Sequence, residues 1–333
     1  MTVWGMVLGA YPRSRLARYA LRDRERGTLD FSQYTSRLLI VHSEIIGVQK
    51  ANGLPIVVDG MVDWHDIFRP FIMRWKNVSV NGLLRYFDNN FFYRIPVFTG
   101  EPDPLEPVWL PRIRQFKDLA EPSSLKIVLP GPFTFVNLSQ NISDLSKTEL
   151  AEAITSILKS EIELVKEENV FIQVDEPLVG DRRLSKDDVE EYLDYWNEIA
   201  SLSSENSAIA IYFDVPQKEV FDLVLESKFK YISVDVIDSK RRAIELLEKT
   251  GLPGHVPVLG IVDARRIHED KLDDELLTMI KKLSKEYQEI VLTTTTWLDL
   301  IPYTYALKKT KILSKFVDIV SEKLGLEKRI LWR

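Results

Sequence analysis

The chain contains no cysteine among its 333 residues. Disulfides, thiolate nucleophiles and Cys-ligated metal sites are therefore excluded. Histidine is scarce as well: only His42, His65, His255 and His268 occur, with no pair at metal-ligand spacing. No apolar run approaches the roughly 20 residues of a membrane span. Long basic runs are also missing. With 44 basic against 50 acidic residues the net charge is −6, which argues against a generic nucleic-acid surface. G-x-G-x-x-G, Walker A and G-x-S-x-G motifs are absent, so dinucleotide, nucleotide triphosphate and serine-hydrolase sites lose their usual signatures. The apolar stretch Met1 to Gly9 is short for a secretory signal and leads straight into a strand pattern; a cytoplasmic location is expected.

What is present is ordinary globular composition, 45% hydrophobic and 28% charged. Short β-branched runs alternate with longer helical patterns. The strand candidates are Val3–Leu8, Ile56–Val58, Leu125–Leu129, Val170–Val174, Ala208–Phe213, Tyr231–Val236, Val258–Val262 and Glu289–Thr293. Ser14 and Gly27 bracket a first helix, and Asp30 to Ala51 a second, stopped at Asn52-Gly53. Later helices are expected over about Lys147–Glu168, Lys186–Ser203, Gln217–Ser227, Lys240–Thr250, Asp273–Glu286 and Pro302–Lys323. Eight βα units predict an α/β fold, a single (β/α)8 TIM-type barrel spanning residues 1–333. A doubly wound sheet is the structural alternative. The segment Met61 to Glu121 breaks the alternation and is expected to be an aromatic insertion after the second strand. Val78–Thr99 inside it predicts a hairpin around Asp88-Asn89-Asn90. Its many aromatics either cover the barrel mouth or a partner, or pack on the chain's own helices.

In a barrel, the C-terminal strand ends line the active-site mouth. Arg13, Asp59, Asp175, Glu176, Asp235 and Asp263 fall at such ends, with Arg265, Arg266, Thr294 and Trp297 just beyond. Acid at most strand ends suits binding of an amine, cation or metal, or general acid–base work. For each Asp singly, a loop cap is the competing reading. Asp175-Glu176-Pro177 is the sharpest motif, read either as a functional pair or as a buried ion pair tying strands. The run Thr293 to Thr296 offers hydroxyls for a phosphate or carboxylate, though β-branched Thr is also good strand material. Arg13 and Arg15 are the arginines nearest the first strand end, and guanidinium forks favour carboxylate and phosphate. Arg15, Arg18 and Arg22 share one helix face, which solvation with Asp23 and Glu25 explains equally well.

Several phrases together resemble the cobalamin-independent methionine synthase family. They are Leu8-Gly9-Ala10-Tyr11-Pro12-Arg13, Asn89 to Val97, Leu129-Pro130-Gly131-Pro132-Phe133-Thr134-Phe135, Ile172-Gln173-Val174-Asp175-Glu176-Pro177 and Leu259-Gly260-Ile261-Val262-Asp263. The resemblance covers essentially the whole chain, as one barrel of an enzyme that has two. It implies that Asp175 matches an amino-acid-contacting Asp of the catalytic barrel, and that Asp235 matches the zinc Glu after the sixth strand. The family's zinc His and Cys belong after the fifth strand, where this chain has Ile211-Tyr212-Phe213-Asp214, and the last Cys falls near Thr296. The match is therefore to the metal-free N-terminal barrel.

The resemblance implies a non-catalytic or donor-binding partner of a zinc-dependent homocysteine S-methyltransferase in methionine biosynthesis. No cofactor is expected on this chain, and zinc only in a separate partner barrel. A folate polyglutamate or another anionic methyl donor is the implied ligand; nucleic acid and membrane are not expected partners. The alternative is an independent metal-free enzyme of the related uroporphyrinogen decarboxylase-like barrel class, with Asp59, Asp175 and Arg13 at work.

Overall fold

The computed structural model describes residues 1–87, 89, 91–203 and 205–331. Among these the strands are β1 (Thr2–Met6), β2 (Ile56–Val57), β3 (Trp75–Arg85), β4 (Phe92–Pro104), β5 (Ser124–Pro130), β6 (Gln140–Asn141), β7 (Phe171–Asp175), β8 (Ser207–Ile211), β9 (Tyr231–Asp235), β10 (Val256–Val262), β11 (Glu289–Thr294) and β12 (Glu327–Lys328). Each strand candidate from the sequence is a strand here, and helices separate most of them, so the chain has an α/β fold. It resolves into two compact units. One comprises Met1–Trp64, Phe116–Lys126 and Leu259–Arg333; the other comprises His65–Gln115 and Ile127–Val258. No described helix is long and apolar enough to cross a membrane.

In the first unit, β1 lies parallel between β11 and β12, with Thr2 opposite Glu289 on one side and Glu327 on the other. β2 pairs with β5 in parallel, Ile56 opposite Ser124. Ser14 caps the helix Arg15–Glu25 by accepting from the Ala17 N–H, and Asp30 caps Phe31–Ala51 through the Gln33 N–H. Gly27 and Gly53 take the left-handed conformation that ends each helix. Helix Tyr303–Leu324 comes so close to β1 that a Cβ on Gly5 would sit 3.1 Å from Val317.

β1 and β2 stop earlier than their apolar runs predict, for one reason. Side chains replace the ladder. The Leu8 N–H donates to Thr294 Oγ1 at 3.1 Å, past the end of β1. At the end of β2, the fully buried Gln49 amide accepts from the Val58 N–H at 3.0 Å and donates to the Val58 carbonyl at 2.7 Å.

In the second unit, β7, β8 and β9 run parallel in chain order, with every residue buried. Burial on both faces is why they read as unbroken apolar runs. A capping box, Ser146 with Glu149, starts Lys147–Glu163. The helix expected over Lys186–Ser203 is instead two pieces, Lys186–Val189 and Tyr192–Ser201. Asp187, Asp188, Glu190 and Glu191 crowd the junction, and like charges at helical spacing oppose a continuous helix. The phrase Leu129–Phe135 runs into the helix Pro132–Asn137, with Pro at its first turn.

Within residues 61–121 the antiparallel pair β3–β4 supplies the expected hairpin; Asp88 and Asn90 of its turn lie outside the described residues. Phe68, Phe71, Trp75 and Tyr93 are buried within the unit, so these aromatics are core, whereas Phe92 is half exposed. The helix Trp109–Ala120 has no local N-cap signal. Its first N–H groups, Val108 and Trp109, bond the buried Glu161 carboxylate at 2.7 and 3.0 Å, more than fifty residues downstream.

Replacing Gln49 by Leu leaves both Val58 backbone groups buried without partners. A loss of about 3 kcal/mol is expected, measured as a lower urea midpoint at unchanged slope.

Candidate functional site

In the second unit the site candidates gather at the ends of β7, β8 and β9. Asp175 is wholly buried. Its Oδ1 accepts from Gln173 Nε2 at 2.6 Å and its Oδ2 from the Tyr212 hydroxyl at 2.9 Å. Burial first, then the Asp175 charge, holds the Tyr212 hydroxyl proton far above the usual phenol range. Tyr212 therefore stays a donor, and Asp175 is a fixed, oriented acceptor.

Glu176 points elsewhere. Its Oε1 accepts from the Phe133 N–H at 3.0 Å and Trp196 Nε1 at 2.8 Å, and its Oε2 from the Thr134 N–H at 2.7 Å. The carboxyl thus sits on the N-terminus of helix Pro132–Asn137, where an anion is favoured. A Cβ on Gly131 would lie 2.1 Å from Glu176 Cδ, so only glycine fits there. Burial pushes the Glu176 pKa up to about 7, against the pull of these hydrogen bonds. Asp175 is thus held by Gln173 and the Tyr212 phenol, and Glu176 by a helix end and the Trp196 indole.

Asp235, at the end of β9, is buried and accepts through Oδ1 from the N–H groups of Ile237 and Asp238 at 2.9 and 3.1 Å. Burial, reinforced by the neighbouring Asp238 charge, holds its pKa well above the carboxylate range. Beyond β8, Asp214 is clamped by cations: Arg182 lies 3.2 Å from Oδ2, while Arg242 and Ser239 donate to Oδ1. Phe213, between Tyr212 and Asp214, takes φ +77° and packs 4.8 Å from the Tyr212 ring and 5.0 Å from Phe87. A bulky residue at positive φ is strained backbone at a strand end.

In the first unit, Arg13 turns back on the chain, donating to the Val62 carbonyl at 3.0 Å and the Trp64 carbonyl at 2.7 Å. Asp59 Oδ1 accepts from the Met61 N–H at 2.9 Å, and the His42 Nδ1–H donates to the Asp59 carbonyl at 2.6 Å. Asp63 and Asp299 are the acids that face Arg13. Asp263 caps its own loop through the Arg265 and Arg266 N–H groups, and its Oδ2 pairs with Arg266 at 3.0 Å. Asp270 accepts from the Asp263 N–H at 2.7 Å and pairs with buried Lys309 at 2.7 Å, which ties this loop to helix Tyr303–Leu324.

The Thr294 hydroxyl is not an open donor: it accepts from Leu8 and donates to the Thr296 carbonyl at 2.8 Å. Thr295 Oγ1 likewise accepts from the Ala264 N–H. Closing β1 against the β10 and β11 ends engages the Thr294 and Thr295 hydroxyls, while the buried Thr293 hydroxyl has no hydrogen-bond partner. Trp297 is buried against Gly9, where any Cβ would lie 2.0 Å from the indole. Arg15 is exposed on its helix, with its guanidinium 5.3 Å from the Tyr19 ring.

Tyr212, Gln173 and Trp196 were missed from sequence, since partners 2 to 37 residues apart carry no local signature. Lys126 was also missed, although a lone Lys inside the apolar run Leu125–Leu129 was a visible signal. It is buried, and its ammonium donates to the Val7 and Leu8 carbonyls at 2.7 and 2.9 Å. Among the described residues no group of three His, Cys, Asp or Glu side chains is placed to hold a metal ion.

A sequence model of the cobalamin-independent synthase N-terminal domain matches residues 72–288. The chain belongs to that family. It is 23% identical over 324 residues to a protein of Sulfolobus acidocaldarius named methionine synthase, covering 96% of this chain and 92% of the other. It is 26% identical over 238 residues to a 5-methyltetrahydropteroyltriglutamate–homocysteine methyltransferase of Campylobacter jejuni, covering 68% of this chain. That match spans only 30% of the Campylobacter protein. A solved B12-independent methionine synthase from Shewanella sp. W3-18-1 has the same fold, with TM-score 0.78, 16% identity, and 96% and 98% of the two chains covered. The methionine synthase fold thus places Asp175, Tyr212, Asp214 and Asp235 on neighbouring parallel strand ends of this chain.

Glu176 has a folded pKa of about 7, above its ordinary 4.5. Its protonated form stabilises the fold, fully below about pH 4.5, and that contribution is lost as pH rises through 7. The stability of wild type relative to Glu176→Gln should therefore fall between pH 4.5 and 7, by about 3 kcal/mol from the size of the shift. Parallel urea titrations of the two proteins across that range measure it.

Proposed function

We propose that this chain is a metal-free barrel of the methionine synthase family, which holds the methyl donor or the companion barrel rather than activating the thiol. The observation that carries this reading is the end of β8. Thiol activation in the family needs zinc on a His and a Cys there. This chain offers Tyr212, whose hydroxyl is spent on Asp175, and Asp214, which two guanidinium groups already surround. A divalent cation would be repelled by Arg182 and Arg242, and one Asp235 oxygen already accepts two backbone N–H groups. The residues present do not fit the family's zinc, and no step is drawn through it.

Under this reading the eight parallel strands close as a (β/α)8 barrel of one domain, with residues 61–121 inserted after β2. The anionic end of a folate polyglutamate is received near Arg13, Arg15, Arg265 and Arg266, with Asp59, Asp263, Thr294 and Trp297 shaping that mouth. Arg13 keeps guanidinium N–H groups beyond its two carbonyl bonds, and Arg15 is exposed on its helix. Asp175, Glu176 and Asp235 are then the architecture of an ancestral substrate end, locked by Tyr212, the helix at Pro132 and the Ile237 and Asp238 N–H groups respectively.

The isolated chain is expected to make no methionine from homocysteine with a folate or corrinoid donor. A separate zinc-bearing barrel should be required in the assay. Methionine formed by this chain alone, free of contaminating synthase, would reject the proposal. Calorimetry with a folate polyglutamate, with that barrel present, should show an affinity about tenfold weaker, roughly 1.4 kcal/mol, for Arg13→Ala/Arg15→Ala.

A further inference from the structure

Asn-Gly occurs twice in the chain, at Asn52-Gly53 and at Asn81-Gly82. The dipeptide carries a chemistry of its own. The glycine nitrogen can attack the asparagine side-chain amide carbon and close a five-membered ring, and a glycine has no Cβ to shield that nitrogen. The local fold decides whether the two atoms are free to meet.

At Asn52-Gly53 both groups are engaged. Asn52 caps the C-terminus of helix Phe31–Ala51, and its Nδ2 donates to the Val48 carbonyl at 2.7 Å, back along the helix. The Gly53 N–H donates to the Lys50 carbonyl at 2.9 Å, in the left-handed turn that ends the helix. The Asn52 carbonyl accepts from the Ser314 hydroxyl of helix Tyr303–Leu324 at 2.7 Å. Both residues are partly buried. Reaction there would have to break the bonds that close the helix.

At Asn81-Gly82 the arrangement is the opposite. The β3–β4 ladder pairs Val80 with Pro96 and Leu83 with Arg94, so Asn81 and Gly82 stand together against Ile95 alone. This is a bulge, a usual place for glycine in a strand. Both residues are exposed, and a Cβ built on Gly82 would have nothing within 4 Å. The Gly82 N–H donates to Oδ1 of Asn81 itself at 2.8 Å. The amide carbon is one C=O bond, about 1.2 Å, from that oxygen, so nucleophile and electrophile are already neighbours. The Asn81 Nδ2, the leaving nitrogen, donates instead to Gln140 Oε1 at 3.3 Å.

We propose that Asn81 is a site of spontaneous deamidation, with the Gly82 nitrogen as nucleophile, and that the fold protects Asn52. Base takes the Gly82 amide proton, the bond from nitrogen to Cγ forms, the Cγ–Nδ2 bond breaks, and ammonia leaves with a proton from water. Water then opens the succinimide at either carbonyl. One opening gives aspartate; the other gives isoaspartate, in which the main chain runs through the former side-chain carbon. Water is the only co-reactant. Either product adds one negative charge to exposed β3 and ends the donation to Gln140, which links the outer strands of the sheet β3–β4–β6. Isoaspartate lengthens the main chain by one atom, which a bulge absorbs more readily than a paired position. The hairpin therefore survives the change, and the charged form accumulates as the molecule ages.

Peptide mass spectrometry of the folded full chain, held in mildly alkaline buffer, tests this. The peptide containing Asn81 should exchange NH for O at least about tenfold faster than the one containing Asn52. Part of the product should accept methyl groups from an isoaspartyl methyltransferase used as a probe. Gly82→Val, whose side chain enters open space, should slow the reaction about tenfold with unchanged circular dichroism. In urea above the unfolding midpoint, Asn52 and Asn81 should react at comparable rates. An unmodified Asn81, or equal rates in the folded protein, overturns the proposal. So does a product without isoaspartate, since direct hydrolysis yields aspartate alone. A Gly82→Val chain that reacts like wild type also overturns it, as does an Asn52 that stays slow in urea, which would trace its protection to flanking sequence.

Discussion

The buried Glu176 carboxyl is the constraint around which the second unit is arranged. One side chain satisfies two N–H groups at the start of helix Pro132–Asn137 and the indole of Trp196 in helix Tyr192–Ser201. The end of β7, the turn after β5 and a helix are thereby fixed to a single point. Gly131 exists to make room for it. With Glu176 committed, Asp175 is left facing the other way, onto Tyr212 and Gln173. Two adjacent acids that look equivalent in sequence are thus separated by what each must satisfy.

The same logic governs the first unit. Arg13, Asp59, Asp263 and Thr294 all spend polar atoms on backbone groups that the strand ladders leave unpaired. Strand ends in a parallel sheet lack the turn that would close them, so buried N–H and C=O groups need side-chain partners. Polar residues concentrate at strand ends partly for that reason, whatever chemistry they serve. A site read from such positions contains both kinds of residue, and burial with hydrogen-bond partners sorts them.

Strand and helix positions were legible because both signals are local. Ser14, Asp30, Ser146 and Asp273 announce helix starts by their own side chains. Helix Trp109–Ala120 was not legible, since its capping acid is Glu161. Nor was the short end of β2, set by Gln49 from a neighbouring helix. Tyr212 looked like strand material until its hydroxyl was seen on Asp175. In each case the deciding partner is distant along the chain, and no spacing rule reaches it.

The position of β1 bears on how the chain is made. Its neighbours, β11 and β12, lie at Glu289–Thr294 and Glu327–Lys328, more than 280 residues later. During synthesis the first strand emerges with nothing to pair with, while β7, β8 and β9 follow one another within 65 residues and can assemble as they appear. The second unit is therefore free to fold on the ribosome. The first must hold an apolar strand in reserve until β11 has been made, and its exposed interval lengthens with every slow codon in between.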